Sequence, residues 1–75
     1  MKHVPPVESR ELIRDEAIRC TSLWDKVHPL SPRETEQRAR ELLERLELPE
    51  AYVGWTMVAF VTAYWRDQVA AVPFA

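Results

Sequence analysis

The chain has very little of the residue types on which small sites are usually built. One glycine in 75 residues leaves no Gly-rich loop to cradle phosphate and almost no supply of tight hairpin turns. One cysteine, Cys20, excludes a disulfide within the chain and a cysteine-rich zinc cluster. The two histidines, His3 and His28, stand far apart, with neither His-x-x-x-His spacing nor a glutamate three residues before either of them. A ferritin-like di-metal bundle is therefore not expected. An excess of positive charge is also missing: 12 acidic against 10 basic residues give a net charge of -2, the wrong balance for a phosphate backbone. The opening Met1-Lys2-His3-Val4-Pro5-Pro6 lacks the apolar core and cleavage site of a secretory signal. With the single free cysteine, it points to a reduced, cytoplasmic setting. No internal repeat or low-complexity segment is visible.

What is present favours helices. Ala, Leu, Glu and Arg dominate, and six prolines act as punctuation. The expected fold is all-α, a small bundle of three helices at about 8–28, 31–48 and 50–72, the third apolar and central. The whole of 1–75 reads as one helical module, either free-standing or a piece of a longer protein. Ser9 or Glu8 is the expected N-cap of the first helix, and Pro29 its expected limit. Ile13, Ala17, Cys20, Trp24 and Val27 fall on one stripe of that helix, flanked by Leu12, Ile18 and Leu23. Cys20 on this stripe reads as a small core residue.

Ser31-Pro32-Arg33-Glu34 has the pattern of a capping box with proline at the first helical position. The second helix then presents Thr35, Ala39, Leu42, Leu43 and Leu46 on a narrow stripe. Glu34–Arg38, Glu36–Arg40 and Glu41–Arg45 are expected ion pairs on its wet side. Pro49 breaks the pattern, and Pro49 or Glu50 begins the third helix. Leu30-Ser31-Pro32-Arg33-Glu34 resembles the opening of the tetrahelical DNA-binding modules of LuxR-type regulators. Those modules imply a polar, basic helix next, whereas Tyr52-Val53-Gly54-Trp55-Thr56-Met57-Val58 offers almost nothing to phosphates or base edges. No nucleic-acid partner is expected.

From Ala51 to Ala75 the only charges are Arg66 and Asp67. The run Ala51–Trp65 is uncharged yet shorter than the roughly 20 apolar residues of a membrane span, and no basic face flanks it for surface attachment. Apolar residues surround this helix on all sides: Tyr52, Trp55, Val58, Ala59, Thr62 and Trp65 on one, Val53, Met57, Phe60, Val61 and Tyr64 on the others. Two amphipathic helices are too few to cover it, so a homo-oligomer or a protein partner is expected. Trp55, Met57, Phe60, Tyr64 and Trp65 are the candidate interface residues, as large aromatics and methionine dominate such surfaces. Gly54 is expected to permit close packing, and Arg66 and Asp67 to pair across an interface or to stay at the surface.

Gly54-Trp55-Thr56-Met57 and Trp65-Arg66-Asp67-Gln68-Val69-Ala70-Ala71-Val72-Pro73 resemble the N-terminal helical region of a bacterial family of uncharacterised proteins with a downstream cysteine-rich domain of unknown function. The resemblance lies mostly in the last third and carries over no metal-binding residue. No nucleophile–base pair, carboxylate dyad, cofactor motif or metal set is legible, so no enzymatic activity is assigned. Two functions remain: a non-catalytic helical module that self-associates or docks through its third helix, or an accessory N-terminal segment of a larger enzyme with its active site elsewhere.

Overall fold

The computed structural model describes residues 4–24 and 31–71, with side chains as far as Arg66. Val27, His3 and His28 lie outside the described residues. Among the described residues there are three α-helices: α1 (Val7–Thr21), α2 (Pro32–Arg45) and α3 (Val53–Ala71). A single 3-10 turn, Glu50–Tyr52, leads into α3. The all-α three-helix bundle is as expected, and α3 is its centre, packing along both α1 and α2. Arg45, at the end of α2, meets Glu16 and Cys20 of α1, while Arg38, nearer its start, lies over Trp24. The two helices therefore run antiparallel, in an up-down-up order.

The helix limits differ from the sequence expectation for identifiable reasons. No side chain caps α1: Pro6 is its N-cap residue, extended at φ -62° and ψ 160°, and the helix begins at Val7, ahead of both Glu8 and Ser9. The helix stops at Thr21, seven residues short of position 28. Thr21 Oγ1 donates to the Ile18 carbonyl (3.2 Å) and Ser22 Oγ to the Arg19 carbonyl (2.7 Å). Leu23 and Trp24 donate three residues back, to Cys20 and Thr21. Hydroxyls that take up the last carbonyls close a helix without glycine or proline.

At the start of α2, Ser31 Oγ accepts from the Glu34 amide at 3.4 Å, with Pro32 at the first helical position. Glu34 turns its carboxylate forward to Arg38, at 2.8 Å, so the cap is made while the reciprocal half of the box gives way to an ion pair. The helix ends at Arg45. Leu48 N–H donates to the Leu43 carbonyl (2.9 Å) and Glu47 N–H to the Glu44 carbonyl (3.1 Å). This is the bond pair of a Schellman motif. Its left-handed residue is Glu47, at φ 58°, where glycine is the usual occupant and L side chains are strained.

The core is small. Ile13 and Ala17 from α1, Thr35, Ala39, Leu42 and Leu43 from α2, and Thr56, Phe60, Ala63 and Tyr64 from α3 are buried. Cys20, Trp24, Leu46, Val53 and Met57 pack around them, partly covered, whereas the flanking Leu12, Ile18 and Leu23 stay exposed. Alanines at 17, 39 and 63 let the three helices approach closely around Phe60, whose ring stacks on Trp24 at 5.1 Å. The buried hydroxyls bond locally: Thr35 Oγ1 donates to the Ser31 carbonyl (2.7 Å) and Thr56 Oγ1 to the Tyr52 carbonyl (2.9 Å). Neither therefore costs the core an unmade hydrogen bond.

Candidate functional site

The helix that fills the core also has a second apolar face. Val53, Thr56, Met57, Phe60, Ala63 and Tyr64 recur at helical spacing and turn inward. On the far side run Gly54, Val58, Val61 and Trp65, again at helical spacing. Val58 is 65% exposed and Trp65 58% exposed, the reverse of what apolar side chains seek. Trp65 is held by an edge-on contact with Tyr64, centroids 5.7 Å apart. Gly54 has no heavy atom within 4 Å of where a Cβ would stand. Its expected role in close packing is therefore not met within the chain.

The structure divides the five candidate interface residues. Phe60 (1% exposed) and Tyr64 (6% exposed) belong to the bundle's own core, with Met57 packed against it. Trp55 and Trp65 face outward. Val58 and Val61 are outward-facing positions that sequence reasoning set aside in favour of larger side chains. The signal was available as a second stripe three and four residues apart, but two stripes of similar hydropathy on one helix do not reveal which is inside. Val61 belongs with Trp65, not with Phe60 and Tyr64.

Between α1 and α3 lies a groove of about 330 Å3. Its lining is largely apolar, with Ile18, Trp55, Val58, Ala59 and Ala63, and Arg10, Arg14 and Arg66 also line it. Arg10 lies over the Trp55 ring, 5.8 Å from its centroid, and its Nε is shielded from solvent with no acceptor. Among the described residues no carboxylate pairs with Arg10, Arg14 or Arg66, while Arg19, Arg38, Arg40 and Arg45 all have one. Arg40 reaches Glu36 at 3.1 Å and also Glu50, tying α2 to the turn before α3. Glu34–Arg38 and Glu36–Arg40 form as expected, but Arg45 does not take Glu41. It crosses to Glu16 (3.3 Å), and Glu41 accepts from Gln37 instead. The side chain of Asp67 lies outside the described residues.

No protein-family model, curated protein or solved structure matches the chain. The site is therefore read from its geometry.

Arrangements for chemistry are sparse. Among the described residues no three of His, Cys, Asp and Glu converge on one point, and no helix is long and apolar enough to cross a membrane. Cys20 is half-buried, and its sulfur accepts from Arg45 Nη2 at 3.7 Å. This hydrogen bond is the main reason the Arg45 guanidinium is raised above its ordinary value; desolvation opposes it, and the Glu16 carboxylate adds to it. What this face offers is contact surface: an apolar stripe on α3, and an apolar groove edged by cations beside it.

Proposed function

We propose that this chain is a non-catalytic helical assembly module in which the outer face of α3 binds a second copy of the same chain. The observation that carries this reading is the exposed stripe Gly54–Val58–Val61–Trp65 on a helix whose other face already fills the core. Association removes that stripe from water. The stripe is also self-complementary. An antiparallel pairing of two α3 helices, about a twofold axis passing between Ala59 and Phe60, sets Val58 against the partner's Val61. The same register sets Trp65 against the partner's Gly54. The bulkiest side chain of the stripe then meets its barest position, as an isologous interface requires. Gly54, with nothing packed on it inside the monomer, gains a role as the seat for an indole.

A contact of one helix pair lies at the small end of specific interfaces, so self-association is expected over roughly 10 μM to 1 mM chain. Sedimentation equilibrium across that range tests it. A mass rising from 8.8 kDa towards twice that value, and held at the monomer by Trp65→Glu, supports the reading. Gly54→Leu serves as a second variant, because it favours the helix while filling the seat for Trp65. It is expected to weaken association as it strengthens the fold. A wild-type chain that stays monomeric up to 1 mM, or variants that associate as wild type does, overturns the reading.

A further inference from the structure

We infer that the groove between α1 and α3 is a docking site for an acidic amphipathic helix of another polypeptide. The groove lies roughly a quarter-turn around α3 from the self-association stripe and shares Val58 with it. The inference stands whether or not the chain dimerises.

The shape of the groove favours a helix. Its α1 wall is Arg10, Arg14 and Ile18, at intervals of four, and its α3 wall is Trp55, Ala59, Thr62 and Arg66, at intervals of four, three and four. Two adjacent helices with such rows leave a trough into which the ridge of a third fits, and α1 and α3 lie side by side in this way. A fourth helix laid there completes a four-helix arrangement and covers the exposed Ile18 and Val58.

Charge selects which helix. The chain has more acidic than basic residues, yet among the described residues every charged one lining this groove is an arginine. Depressions elsewhere on the bundle contain carboxylates beside their arginines, Glu41 with Arg38 and Arg45 in one, Glu44 and Glu50 with Arg40 in another. Three guanidinium groups in a largely apolar lining, two of them one helical turn apart on α1, match a helix with an apolar stripe and carboxylates on its flanks. Arg10 is held over Trp55, and with no carboxylate of the described residues paired to it, its charge is left for one arriving from a partner. Arginine suits this role because its planar fork binds carboxylate in two places while its face rests on an aromatic ring.

The test is a titration of the full chain into two fluorescein-labelled synthetic helices of 18 residues with the same leucine stripe, one flanked by glutamates and one by lysines, followed by anisotropy. The glutamate helix is expected to bind, weakening as salt rises, and the lysine helix to bind at least about tenfold more weakly. Arg14→Glu with Arg66→Glu is expected to reverse that preference, and the milder Arg14→Gln with Arg66→Gln to abolish it. Far-UV circular dichroism establishes that each variant folds. Trp65→Gln, outside the groove and adding no charge beside Arg66, is expected to bind the glutamate helix as wild type does, which separates this site from the self-association face. Equal binding of both helices, a preference unmoved by the arginine substitutions, or binding of phosphatidylglycerol vesicles with neither helix bound overturns the inference.

Discussion

Phe60 and Trp65 sit five residues apart on α3, and a sequence reading treats both as contact residues. Their truncations are expected to behave in opposite ways. Phe60 is 1% exposed, stacked on Trp24 and enclosed by Ala17, Ala39, Leu42 and Ala63. Phe60→Ala loses a transfer contribution of about 2 kcal/mol. It also leaves a cavity of roughly 80 Å3, which at about 24 cal/mol per Å3 adds about 2 kcal/mol. The three alanines already bring the backbones close, so little collapse can heal the void. A loss of about 4 kcal/mol compares with a total stability on the order of 4–11 kcal/mol for a domain of this length. The variant is expected to lose between roughly a third and all of its stability. Trp65→Ala removes a side chain that is 58% exposed and is expected to change monomer stability by less than about 0.5 kcal/mol. Urea denaturation followed by far-UV circular dichroism, at a concentration where the chain is monomeric, measures both. A Phe60→Ala loss below about 1 kcal/mol, or equal losses from the two substitutions, would refute the division of α3 into an inner and an outer face.

Two backbone predictions are independent of any partner. Glu47→Gly relieves the left-handed strain at φ 58° and is expected to stabilise the chain by about 0.5–1 kcal/mol despite the added freedom of the unfolded state. A thermal midpoint that falls would show that the Glu47 side chain contributes more than its backbone costs. Ser31→Ala removes the acceptor for the Glu34 amide and is expected to cost about 1 kcal/mol in chemical denaturation. An unchanged midpoint would mean that Pro32 alone fixes the start of α2.

Local chemistry accounts for what was legible from the residues alone. The number of helices, the Ser31 cap, the link at Pro49 and the Thr35–Ala39–Leu42–Leu43 face all depend on neighbours within one or two turns, and all are found. The missed ends have the same local origin with quieter signals: the hydroxyls of Thr21 and Ser22, and a left-handed glutamate where glycine is the usual occupant. Arg45 already passes beyond that range. Its partner at i-4 was predictable, but Glu16 on another helix holds it.

Only the tertiary structure could sort α3. Periodicity shows that this helix is apolar all round, and burial shows that Phe60 and Tyr64 face inward while Val58, Val61 and Trp65 face outward. The physical reason is that hydrophobicity has no direction. Which stripe is covered depends on where α1 and α2 pack, and they pack where Ala17, Ala39 and Ala63 allow close approach. The convergence of Arg10 and Arg14 with Arg66, some fifty residues away along the chain, arises in the same way. No local pattern encodes it, and it exists only because α1 lies alongside α3.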